Sequence, residues 1–237
     1  MKKISIQFIF ISIVSVLFIY GCTKGKGEIV VQSFSPEPFS KIELNITGEL
    51  ILVADQNQFV EVHSHQNLID ILKIETQSGR LIIKTQPGKK IGKFDELSFY
   101  VHTPSIESIT NSASGNISGG NNVQAASLVL KTSASGNINI TGINCQNIEA
   151  KASASGNITL SGLAENASFD VSGSGGISAF NLTSLSTIAK TSSSGNIETS
   201  TVNNLSAKIS GSGNIYYKGN PTITTEDNSS GSLINSN

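Results

Sequence analysis

The sequence predicts an all-β chain whose C-terminal half winds into a β-solenoid with coils of about 20 residues, capped at its N-terminal end by further β-structure. Three observations predict it. The hexapeptide "SASGNI" stands at 112–117, 133–138 and 153–158, and drifting versions of it continue toward the C-terminus. Apolar and polar residues alternate with a period of two through the same stretch, which is strand chemistry. The composition, with 14% charged residues, 22 glycines and no tryptophan in 237 residues, suits one β-rich unit better than a helical enzyme built from Leu, Ala, Glu and Lys. The net charge of −1 gives no global pull toward nucleic acid or acidic surfaces.

The chain opens with Lys2-Lys3 and an apolar run from Ile4 to Tyr20, followed by "IYGCTKGKGE" around Cys22. This layout is that of an export signal. Gly21 immediately before Cys22, Ile19 at the third position upstream and the polar stretch that follows resemble the lipobox of bacterial lipoproteins. That resemblance implies cleavage after residue 21 and diacylation of the Cys22 thiol, although Tyr20 is bulkier than the small residue usual there. An uncleaved transmembrane anchor and ordinary secretion are the alternatives, since about 17 residues is the short limit for a span. Two acyl chains would anchor the protein stably in a membrane. Residues 1–21 are thus read as a lipoprotein signal peptide and 22–27 as a flexible tether. With Cys22 acylated, Cys145 in "GINCQNIEA" has no partner in its own chain and reads as a small buried packing residue.

Residues 28–107 lack the motif but keep strand patterning in "EIVVQSF", "KIELNITGELILV", "FVEVHSH", "ILKIETQSGRLIIKT" and "ELSFYVHTP". Gly48, Gly79 and "QPGKK" supply turns, and "HQNLIDIL" predicts a short helical turn. The greater hydrophobicity here points to wider coils or to a sheet that caps the stack, whose open end would otherwise present unpaired strand edges.

From 108 to 237 the motif glycine recurs at Gly115, Gly136, Gly156, Gly175, Gly195, Gly213 and Gly231, at intervals of 21, 20, 19, 20, 18 and 18. Two residues after it stands an unbroken apolar column: Ile117, Ile138, Ile158, Ile177, Ile197, Ile215 and Leu233. A hairpin meander would place polar and apolar residues on the same face, so a solenoid with the glycine at a tight corner is favoured. The seven glycines are expected as structural corners, chosen for their freedom at positive φ, with Ser and Asn stacked in hydrogen-bonded ladders. Two strands of about five residues and two turns would complete a coil. Five residues before each glycine lies an outward column of Thr110, Lys131, Lys151, Asp170, Lys190, Lys208 and Glu226. It reads as a solubilising stripe. The sharper reading makes Lys131, Lys151, Lys190 and Lys208 a mildly basic track for an anionic glycan.

The whole-length arrangement resembles the auto-transporter adhesin, head GIN domain family of bacterial envelope proteins, abundant in Bacteroidetes. The resemblance is carried by "FSKIELNITGELILVADQNQFVEVHSHQNLIDILKIETQSGRLIIKT", "YVHTPSIESITNSASGNI" and "ISGSGNIYYKGNPTI". It implies a right-handed β-helix, related in shape to pectin lyases, with an adhesive role and no catalytic residues to carry over. The chain departs from the family's pattern in its early Ser-Ala-Ser-Gly-Asn repeats and in Gly175-Gly176.

Lyase-type chemistry would need clustered carboxylates and a cationic base. Glu149, Glu165, Asp170, Glu198, Glu226 and Asp227 occupy different phases of the repeat, and the two that share one, Asp170 and Glu226, are three coils apart. His63 and His65 fall on one face of a strand, with His102 elsewhere, and read as surface or cross-strand residues rather than metal ligands. No phosphate-binding loop is present, because the glycine-rich motif never opens a helix. The expectation is therefore a non-enzymatic envelope lipoprotein, anchored to the outer membrane, that needs no cofactor or metal. Its partners would be the membrane through the anchor and a glycan or an envelope or host surface protein, with no nucleic acid. The alternative is a polysaccharide-binding or pectin-lyase-like module.

Overall fold

The computed structural model describes residues 21–120, 123–227 and 230–237. The apolar segment assigned to the export signal lies outside the described residues. About 62% of the chain is strand and 2% helix, arranged in stacked parallel coils that make a β-solenoid of about 6 turns.

The alternating burial of the repeats builds the stack. Strands β8 (Ser108–Asn111), β9 (Asn116–Gly119), β10 (Val123–Thr132), β11 (Ile138–Ala152), β12 (Ile158–Val171), β13 (Ile177–Thr191), β14 (Ile197–Ile209) and β15 (Ile215–Lys218) carry it, and β16 (Thr222–Asp227) and β17 (Leu233–Asn235) end it. Each pairs in parallel with its counterpart one repeat later, so Ile117, Ile138, Ile158, Ile177, Ile197, Ile215 and Leu233 stand directly above one another. One motif therefore makes one turn, and seven corners bound six coils.

The buried residues of β11 are Ile138, Ile140, Ile143, Cys145, Ile148, Ala150 and Ala152. That series skips a step between Ile140 and Ile143 and again between Cys145 and Ile148. Strict alternation keeps a side chain on one face only while the strand runs straight. The two skips are bends, exposed at Thr141-Gly142 and at Gln146-Asn147. Buried Ile177, Ala179, Leu182, Ser184, Thr187, Ala189 and Thr191 repeat the pattern in β13. A coil thus has three straight runs, not the two strands read from the sequence.

The first half contributes strands to the same stack. β2 (Lys41–Asn45) and β3 (Glu49–Ala54) form a coil that pairs in parallel with β8 and β9. On their other side lie β6 (Arg80–Thr85) and β7 (Leu97–Thr103), also parallel. Antiparallel pairing then replaces the coils: β5 (Leu72–Gln77) closes on β6, and β4 (Phe59–His65) closes on β7 and is covered in turn by β1 (Ile29–Phe34). The helical turn α1 (Gln66–Ile69) connects β4 to β5. Leu44, Leu50, Leu81, Ile83 and Phe99 fill this wider end, whereas Ala150, Ala152, Ala189 and Ala207 line the narrower repeats.

Candidate functional site

The repeated motif builds a corner, though not for the reason expected. None of the seven corner glycines has a positive φ; the glycines that do are Gly27, Gly48, Gly79, Gly88, Gly142, Gly162 and Gly219. What the corner requires is closeness. A Cβ on Gly136, Gly156, Gly175, Gly195, Gly213 or Gly231 would overlap the carbonyl oxygen of the corner glycine one coil earlier. Inside three of these corners a buried side chain donates to the carbonyl of the glycine four residues on: Asn111 Nδ2 to Gly115 at 2.6 Å, Thr132 Oγ1 to Gly136 at 2.9 Å and Thr191 Oγ1 to Gly195 at 2.8 Å.

Beside the corners runs an asparagine ladder. Asn137 donates its backbone N–H and Nδ2 to Asn116 Oδ1 at 3.1 and 3.2 Å, and Asn157 does the same to Asn137 at 2.9 and 3.3 Å. Gly176 takes the next rung through its backbone alone, at 2.9 Å from Asn157 Oδ1, and has no side chain to pass the ladder on. A second ladder starts at Asn196 and continues through Asn214 to Ser232. The motif residues are thus spent on stacking.

The lysine column is one physical row, with register Thr110, Lys131, Lys151, Asp170, Lys190, Lys208 and Glu226. Acidic neighbours compensate much of it. Lys151 Nζ lies 2.8 Å from Glu149 and Lys208 Nζ 2.8 Å from Glu226. These hydrogen bonds hold both carboxyls below the usual carboxylate range and Lys151 above the usual lysine range. Lys131 edges a cleft of ≈ 630 Å³ shared with Lys41, Arg80 and Glu107.

A second feature, not singled out in the sequence, is an outward face on β4 and β7. Phe59 stands opposite His102, and Glu61 opposite Tyr100. The Phe59 and His102 rings stack at 3.9 Å, His63 tilts against Tyr100 at 4.6 Å, and His102 Nδ1 is 3.1 Å from Asp55 Oδ2. His102 therefore lies on the same face as His63, where the sequence reading separated them. The available signal was the matched alternation of "FVEVHSH" and "LSFYVHT", which only the antiparallel register brings together. His65 is buried beneath the N-terminal segment, with Nδ1 2.9 Å from the Gly27 carbonyl. Among the described residues no three His, Cys, Asp or Glu side chains gather closely enough to hold a metal ion.

Of the two cysteines, Cys145 is 7% exposed, and burial pushes its thiol up to about 11. A thiol so protonated at neutral pH is a poor nucleophile. It borders a groove of ≈ 400 Å³ between Asn144, Leu163, Glu165 and Leu185. Cys22 is exposed. The residues after it are not a free tether: Thr23 N–H donates to the Lys90 carbonyl at 2.8 Å, and Gly25 N–H donates to Lys93 at 2.9 Å. Asn67 completes the attachment, donating to Lys24 O at 2.8 Å and accepting from Lys26 N–H at 3.0 Å.

With this geometry in hand, comparison with known proteins is informative. The family described as "Putative auto-transporter adhesin, head GIN domain" matches residues 38–221. A comparison with curated proteins finds no match. Among solved structures, a putative adhesin from Bacteroides fragilis is 21% identical, with a TM-score of 0.86 over 90% of this chain and 99% of its own. A putative lipid binding protein from Parabacteroides distasonis is 22% identical, with a TM-score of 0.77 over 92% and 100%. A putative adhesin from the same organism is 23% identical, with a TM-score of 0.71 over 91% and 100%. At these identities the likeness is one of fold.

Proposed function

Since the chain belongs to the putative auto-transporter adhesin, head GIN domain family, we propose that it acts as a non-enzymatic rod of the bacterial cell envelope, lipid-anchored at Cys22 and adhesive through its outward faces. One observation carries the reading: the exposed Cys22 sits on the capped N-terminal end, and the repeating faces extend away from it. The apolar run from Ile4 to Tyr20, with Lys2-Lys3 ahead of it, supports export and acylation at that cysteine. In the repeats Glu149 and Glu226 serve as partners for Lys151 and Lys208, which supports a structural rather than a catalytic use of these two carboxylates.

Radiolabelled lipid feeding of cells carrying wild type or Cys22→Ala tests the anchor. Label on wild type and none on the variant is expected; equal labelling defeats it. Protease treatment of intact cells tests the adhesive role, because an adhesin is expected to be digested from outside and full protection overturns it.

A second reading, a polysaccharide-binding or polysaccharide-cleaving module, is favoured by the stacked Phe59 and His102 beside Tyr100, an aromatic face of the kind on which sugar rings pack. A glycan array with parallel lyase assays separates the two, since ultraviolet-absorbing unsaturated product from a uronate polymer would sink the non-enzymatic reading.

A further inference from the structure

The segment that holds Cys22 to the body also gathers charge. Thr23 is stitched on both sides, its N–H to Lys90 O and its carbonyl to Gly92 N–H, each at 2.8 Å. Gly25 lies so close to the His65 ring that a Cβ there would overlap it, and a Cβ on Gly92 would stand 3.1 Å from Cys22 Cβ. The loop from Gln86 to Lys93 is therefore packed directly against the anchor residue. Lys24, Lys26, Lys89, Lys90 and Lys93 all belong to these two segments, and all five are exposed. Among the described residues none of the five makes an ion pair within 4 Å.

The carboxylates close to these segments in sequence or in the packing have other neighbours. Asp95 faces His65 at 3.4 Å, Glu96 faces His63 at 3.9 Å, Asp70 accepts from Gln66 at 2.9 Å, and Glu28 follows in the chain beyond Gly27. Ile91 in the loop and Phe94 directly after it pack inward against the core, whereas the lysines are exposed. Without Lys2 and Lys3, the chain carries fourteen basic against seventeen acidic residues. Five uncompensated cations around one residue of a net acidic body form a local field that the overall charge conceals.

We propose that these five lysines form a collar that seats on the anionic headgroups of a lipid bilayer, so that the anchored body rests against the membrane in one orientation instead of swinging on a tether. The proposal deepens the anchored reading and rests on it for its setting, but the electrostatics belong to the folded body alone. Basic residues next to an anionic leaflet each contribute about fivefold to binding, and the effect fades within a Debye length.

The test uses the unacylated body, residues 22–237 carrying Cys22→Ser, which contains every described strand. Its sedimentation is measured with vesicles of phosphatidylcholine alone and with vesicles that include phosphatidylglycerol. Binding to the anionic vesicles is expected to exceed binding to the neutral ones by about tenfold or more, and to vanish at about 1 M salt, where the Debye length is roughly 3 Å. The triple change Lys89→Gln, Lys90→Gln, Lys93→Gln is expected to remove at least about tenfold of that binding, with melting unchanged. The triple change Lys131→Gln, Lys190→Gln, Lys208→Gln, in the repeat column, is expected to leave it intact. Equal binding to both vesicle types, or undiminished binding by the folded collar variant, overturns the collar. A labelled Cys22 with no vesicle preference would fell the collar and leave the anchor standing, and vesicle preference with an unlabelled Cys22 would do the reverse.

Discussion

Glycine at the corners is required by the neighbouring coil, not by its own backbone. Gly79 and Gly156 separate the two roles that glycine plays in this chain. Gly79 has φ 71° and nothing within 4 Å of an added Cβ, so conformational freedom is what it supplies. Gly156 has no positive φ, but a Cβ there would strike the Gly136 carbonyl and approach Thr132 Oγ1 to 2.6 Å. Gly79→Ala is accordingly expected to cost about 1 kcal/mol. Gly156→Val must push two hydrogen-bonded coils apart, and at least about 3 kcal/mol is expected, which corresponds to roughly 6–12 °C in melting temperature for a chain of this size. Thermal unfolding followed by circular dichroism checks the pair, and a Gly156→Val protein that melts with wild type would refute the steric account.

At the scale of strands, the interior is not uniformly apolar. Between β13 and β14 lie four buried hydroxyls, each no more than 2% exposed: Ser184, Thr187, Thr199 and Thr201. Thr187 Oγ1 is the hub, 2.6 Å from Ser184 Oγ, 2.8 Å from Thr201 Oγ1 and 3.4 Å from Thr199 Oγ1, and Ser184 also donates to the Ser200 carbonyl at 3.2 Å. Removing one member of a satisfied buried network costs more than removing all of it, because the survivors lose partners without regaining water. Thr187→Val is expected to destabilise by about 1–2 kcal/mol. Adding Ser184→Ala, Thr199→Val and Thr201→Val is expected to recover most of that loss in urea unfolding, and a further additive loss would show that the hydroxyls do not act as a network. The lysine column behaves differently, since Lys151–Glu149 within β11 and Lys208–Glu226 across neighbouring strands both lie at the surface, where ion pairs contribute little.

For the whole molecule, one sheet can be followed from β1 through β4, β7, β3, β9, β11, β12, β13, β14 and β15 to β17. Eleven strands at about 4.8 Å make an edge about 48 Å long. Its two ends differ. The N-terminal end is closed by antiparallel strands, whereas in the last coil the nominally inward Ile223 is 38% exposed and Thr225 is exposed as well. In a stack where each coil touches only its neighbours, stability declines toward an uncovered end. Amide hydrogen exchange is expected to be at least about tenfold faster in β16 and β17 than in β11 and β12; uniform protection would mean that something covers this end. The sequence by itself determined the repeat, its parallel in-register stacking and the inward isoleucine column, because those depend on a period of two and a spacing near 20 that any coil must obey. It also located Cys22 and the lysine row, since a column in the sequence becomes a row in the stack. Only the tertiary structure decided why the corner must be glycine, that each coil bends three times, that His63 and His102 share a face, and that residues 23–26 lie fixed among Asn67, Lys90 and Lys93. Each of these depends on contacts between segments far apart in the chain, and such contacts leave no period in the sequence.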